Sequence, residues 1–185
     1  MNPQLMYVMI AVAIAIIIVA ALVVVRNKRS ERLQSRFGPE YERTVNTVGN
    51  PAKAEAILSE RAARVNRFRL RPLTRDQAQA FAQQWRAVQT RFVDDPEGAV
   101  GAADDLVTQV MTARGYPLED FERRAEDVSV DHPHVVENYR VARMLVQRRA
   151  RDEATTEELR QAVVNYRALF DDLLKVDGRH TRRAS

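Results

Sequence analysis

The sequence predicts an all-α protein, with a single N-terminal transmembrane helix followed by an antiparallel helical bundle, on three observations. The first is an uncharged apolar run near the N-terminus. The second is a series of segments whose apolar residues recur at steps of three and four, the spacing that gathers them on one face of a helix. The third is that apolar and polar residues nowhere alternate for long enough to read as a strand.

The apolar run, LMYVMIAVAIAIIIVAALVVV, occupies residues 5–25. At about 1.5 Å per residue a helix of that length reaches roughly 31 Å, against about 30 Å of hydrocarbon in a bilayer. Residues 1–4 form a short uncharged N-terminus, and Arg26, Lys28, Arg29, Arg32 and Arg36 follow the run against Glu31 alone. Positive charge beside a spanning segment stays on the cytoplasmic side, which places the bulk of the chain in the cytoplasm. The competing expectation is an uncleaved export signal on a secreted domain.

Residues 26–50 read as a basic juxtamembrane segment, a short helix broken into a turn at Phe37-Gly38-Pro39. Residues 51–177 read as the bundle, and residues 178–185 as a basic disordered tail. Proline marks most of the helix starts, because the first helical N–H has no partner to lose. Asn50-Pro51 opens a helix with Ala54, Leu58, Ala62 and Val65 on one face. The segment Arg67-Phe68-Arg69-Leu70-Arg71, against Pro72, is a connection.

Thr74-x-x-Gln77 is a capping box, followed by the stripe Ala78, Phe81, Trp85, Val88 and Phe92. Asp95-Pro96 ends that helix and opens the next, whose stripe is Ala99, Ala103, Leu106, Val107, Val110 and Met111, with Gly115 as a left-handed cap. Pro117 begins a short helix through Leu118, Phe121, Ala125 and Val128, and Pro133 another through Val136, Tyr139, Ala142, Leu145 and Val146. Thr155-x-x-Glu158 caps a last helix running through Leu159, Ala162, Val163, Tyr166, Leu169, Phe170, Leu173 and Leu174, stopped by Asp177-Gly178.

The strings RFGPEYERTV, FVDDPEGAV, DHPHVVENYR and ATTEELRQAVVNYRALFDDLL, within residues 36–174, resemble a family of uncharacterised bacterial membrane or secreted proteins with one N-terminal hydrophobic segment. The resemblance implies a helical domain tied to, or exported across, a bacterial membrane, and with the charge asymmetry it implies the inner membrane. It carries over no activity or catalytic residue.

The absence of cysteine excludes disulfides, thiol nucleophiles and thiolate-held metals. Charge is divided along the chain: residues 26–75 sum to +8, residues 76–177 to −7 and residues 178–185 to +3. The basic balance is therefore local, and nucleic acid is not an expected partner. Six arginines, Arg61, Arg64, Arg67, Arg69, Arg71 and Arg75, form a candidate contact for an anionic surface, with pairing to the acidic distal part as the alternative.

The only cluster suggestive of chemistry is Ser129, Asp131, His132, His134 and Glu137, from which His132, His134 and Glu137 are a conceivable ligand set for a divalent ion. Helix capping and solvation explain the same residues without a metal. The acidic pairs Asp94-Asp95, Asp104-Asp105, Glu119-Asp120 and Asp171-Asp172 read as helix starts and solvated faces. The expectation is a membrane-anchored interaction or scaffold module in contact with the lipid bilayer and a protein partner, not an enzyme, without cofactor or metal. The alternative is a small-ligand-sensing or enzymatic bundle with its site near His132, His134 and Glu137.

Overall fold

The computed structural model describes residues 3–117, 119–149, 151 and 155–175. These residues form eight helices and no strand: α1 (Pro3–Phe37), α2 (Pro39–Val48), α3 (Pro51–Val65), α4 (Arg75–Asp94), α5 (Pro96–Arg114), α6 (Phe121–Asp131), α7 (Val136–Arg149) and α8 (Thr156–Leu174). Leu118 and the tail 178–185, with its expected Asp177-Gly178 stop, lie outside the described residues. The chain divides into two compact units, Met1–Leu58 and Ser59–Ser185.

The transmembrane helix expected over residues 5–25 is corrected. Among the described residues no helix is long and apolar enough to cross a membrane. The apolar run is not an element of its own but the first part of α1, a helix of 35 residues that continues through Arg26, Lys28, Arg29, Glu31 and Arg32. The helix does not stop where polarity changes. Lys, Arg, Glu, Gln and Leu propagate it as well as Ile and Val do, because the i to i−4 ladder depends on backbone conformation.

Within the first unit, α1 ends at Gly38, whose positive φ of 47° and N–H bond to the Gln34 carbonyl turn the chain into Pro39 at the start of α2. The sequence anticipates that break but not the second helix behind it. The Tyr41 hydroxyl donates to Glu55 Oε1 at 3.0 Å, tying α2 to the start of α3. Leu22, Val25, Arg26, Arg29, Ala52, Glu55 and Ala56 line a shallow groove between α1 and the same part of α3. Residues 12–25 all remain exposed.

In the second unit the stripes close on one another. The α4–α5 and α7–α8 pairs are hairpins, α5 lies against α8, and α6 packs on α7. Both capping boxes form, Thr74 with Gln77 and Thr155 with Glu158. Trp85 is fully buried with its ring centroid 4.6 Å from that of Phe170, and Phe81 and Phe92 pack half-buried against the same core. Tyr139 stands 4.6 Å from Phe121 and 6.0 Å from Tyr166.

Two helix starts differ from expectation. α6 begins at Phe121 rather than Pro117, because the Asp120 carboxylate accepts the Arg123 N–H and caps it there. α7 begins at Val136 rather than Pro133, because the His132 carbonyl takes the N–H groups of Val135 and Val136 and holds residues 133–135 in a turn.

Candidate functional site

The six-arginine segment separates into two groups. α3 ends at Val65, the chain turns over residues 66–68, where the Arg67 and Phe68 N–H groups bond back to the Arg64 and Val65 carbonyls, and residues 69–74 form an irregular connection with Pro72 keeping Arg71 out of helical conformation. Phe68 and Leu70 turn inward and pack against the core, so Arg67, Arg69 and Arg71 turn outward at every second position. Arg71 is fixed by its backbone, donating N–H to the Arg114 carbonyl and Nε to the Ala113 carbonyl, each at 2.9 Å. Gly115 permits this approach: its φ is +95°, and a Cβ there would stand 2.7 Å from the Arg69 carbonyl. Arg75, at the first turn of α4, completes an exposed row of four. Among the described residues Arg67, Arg69 and Arg75 face no carboxylate, and Arg71 has only the Ala113 carbonyl.

Arg61 and Arg64, one turn apart on α3, go the other way. Arg61 is buried, donating to Ser129 Oγ at 3.1 Å with Glu126 at 3.4 Å. Arg64 pairs with Asp127 at 2.7 Å and Glu126 at 3.2 Å. Burial alone would lower the Arg64 guanidinium, but the Asp127 and Glu126 carboxylates hold it raised. Burial pushes the Asp127 carboxyl up, opposed by Arg64. These two arginines are internal fasteners between α3 and α6, and the expectation of six surface cations is reduced to four.

The His132 cluster does not converge. His134 is exposed, and Glu137 is exposed and pairs with Arg140 one helical turn on. Ser129 is buried against Arg61, and Asp131 accepts from the Tyr116 hydroxyl at 3.4 Å. His132 is buried as well, its Nδ1 lying 2.6 Å from Asp172 Oδ2. The hydrogen bond from His132 holds the Asp172 carboxyl far below its ordinary value, against the upward push of burial and with help from Lys175. An ionised carboxylate only accepts, so Nδ1 carries the proton. Among the described residues no three His, Asp or Glu side chains are placed to hold a metal ion.

The acidic pairs are occupied structurally as well: Asp95 accepts the Gly98 N–H at the head of α5, Asp104 faces Arg143 at 3.6 Å, and Asp171 meets Arg167 at 2.7 Å. Compared with known proteins, the chain matches no family profile, no curated protein and no solved structure.

Several polar contacts central to the unit carried no signal in the sequence. Arg114 is buried and reaches across from α5 to donate Nη1 to the Leu173 carbonyl at 2.7 Å, closing the last turn of α8. Asp104, Thr108, Arg124, Tyr139, Arg143 and Tyr166 meet where α5, α6, α7 and α8 converge, with Arg124 donating to Thr108 Oγ1 at 2.9 Å and the Arg143 guanidinium over the Phe121 ring. Burial pushes the Tyr139 phenol up to about 12. The arginines among them read in sequence as ordinary surface, because their partners lie on other helices, whereas Tyr139 and Tyr166 stand in the stripes read from the sequence.

Proposed function

We propose that this chain is a membrane-associated helical interaction module, in which the apolar part of α1 is covered by lipid and the second unit is presented at the membrane as a docking body. The observation that carries the reading is the surface of α1: Ile14, Ile16, Ile17, Ile18, Val19, Leu22, Val23, Val24 and Val25 are each more than half exposed, Ile17 at 67%. An apolar surface that encircles a helix for about four turns exceeds the scattered exposure of soluble monomers and requires an apolar environment to cover it. Arg26, Lys28, Arg29, Arg32 and Arg36 follow directly on the same helix, where anionic headgroups attract cations and the cytoplasmic leaflet is the more anionic one. A docking role is favoured over catalysis because the one cluster suggestive of chemistry, around His132, does not converge: His134 and Glu137 are exposed, while His132 pairs with Asp172.

The test is flotation of the full chain with vesicles of neutral phosphatidylcholine. The protein should rise with the vesicles and remain there after a high-salt wash, whereas I14E/I18E/L22E should stay at the bottom of the gradient. A monodisperse wild-type chain that stays at the bottom beside vesicles overturns the reading.

A further inference from the structure

The four exposed arginines adjoin the end of α8 in the same unit. Arg71 donates its backbone N–H to the Arg114 carbonyl, and Arg114 in turn donates its side chain to Leu173 in the last turn of α8. The arginine row and the end of α8 therefore lie at one edge of the unit, one residue apart through hydrogen bonds. Lys175 stands there, exposed and paired with Asp172 at 2.7 Å.

We propose that this edge, Arg67, Arg69, Arg71 and Arg75 together with the end of α8, is the face by which the second unit rests on anionic lipid headgroups. The inference builds on the lipid-covered α1 and names the further partner surface. Three observations carry it. The arginines are exposed and three of them face no carboxylate, in a unit whose residues 76–177 are net acidic, so their charge is not spent inside the molecule. Arg67, Arg69 and Arg71 are exposed at alternate positions while Phe68 and Leu70 between them are partly buried, so the three cations share the outer side of the connection. Phe68 and Leu70 between them are turned into the core, so the row has no exposed ring on which a nucleobase could stack. Lipid is the favoured anion because α1, in the same chain, holds the unit close to a bilayer.

The full chain is bound to vesicles of phosphatidylcholine alone or with anionic phosphatidylglycerol, and trypsin cleavage at residues 67–75 is followed by mass spectrometry. Cleavage there should be several-fold slower on the anionic vesicles and recover at high salt, while cleavage at the exposed Arg86 on α4 stays the same on both. In parallel, R67Q/R69Q/R75Q should lower the preference for anionic over neutral vesicles by roughly a hundredfold, about fivefold for each arginine near the surface. Equal cleavage on the two vesicles overturns the proposal, and so does protection by a short RNA at concentrations where anionic vesicles give none, which would make the edge a nucleic-acid surface. Flotation on neutral vesicles keeps the two readings apart: a chain that floats but shows no anion-dependent protection loses the edge proposal alone, whereas one that fails to float loses the α1 reading.

Discussion

Ile17 on α1 and Trp85 on α4 are both large apolar residues in the interior of long helices, yet one is 67% exposed and the other wholly buried. The difference lies in what surrounds them on their own helix. On α4 the apolar residues form a stripe with polar residues opposite, and α5 and α8 offer matching stripes. On α1 the residues from 12 to 25 are apolar on every side, so no single neighbouring helix could cover them. A stripe specifies a protein partner, whereas an apolar cylinder specifies a solvent. The arginines of residues 61–75 show the same division, with Arg61 and Arg64 drawn into the unit by carboxylates on α6 and the next four left on its surface.

The largest test of this contrast is Trp85→Ala against Ile17→Ala. Removing the buried indole should cost about 3 to 5 kcal/mol in denaturant unfolding of the second unit, whereas the exposed isoleucine should change it by less than about 0.5 kcal/mol. Comparable losses would mean that α1 stabilises that unit directly. Among the arginines, Arg64→Gln leaves Asp127 buried without its cation and should cost about 2 to 3 kcal/mol, while Arg67→Gln should be neutral within about 0.5 kcal/mol. A costly Arg67→Gln would show that the exposed row is fastened internally after all.

Gly115→Ala should cost about 1 to 3 kcal/mol, since the left-handed backbone is strained for any residue with a Cβ and the added atom would press on the Arg69 carbonyl. Faster tryptic cleavage at Arg67 and Arg69 in that variant would show that the glycine also holds the arginine row in place.

The smallest effect expected concerns pH. Asp172 is held below its ordinary value of 3.8, so its bond to His132 stabilises the fold fully above that value and loses its contribution as pH falls below it toward the folded-state value. Asp172→Asn should therefore be less stable than wild type near pH 7, with the gap narrowing mainly as pH falls below about 4. A gap that stays constant with pH would assign the effect to shape and not to charge.

Much of the architecture was legible in local sequence, because its signals act over three or four residues. Thr74 with Gln77 and Thr155 with Glu158 satisfy orphan N–H groups within one turn, and the stripes led by Trp85 and Tyr166 record the helical period itself. Where local signals competed, the structure decided: Asp120 capped α6 ahead of Pro117, and a turn at His132 delayed α7 past Pro133. Hydrophobicity over residues 5–25 pointed to a separate spanning element, but the backbone ladder carried α1 through the charged residues to Phe37, and no described helix meets the length and polarity needed to cross a bilayer.

Sequence by itself determined an all-helical chain, the starts of α3, α4, α5 and α8, the buried faces of the second unit and the uneven distribution of charge, since each depends on neighbours within a few positions. Only the tertiary structure decided which arginines are internal, that His132 closes on Asp172 across 40 residues, and that Arg114 joins α5 to the end of α8 beside the arginine row. Those outcomes depend on which polar group lies within about 3 Å across a helix interface, and a distance of that kind is set by how the helices pack and has no periodicity along the chain.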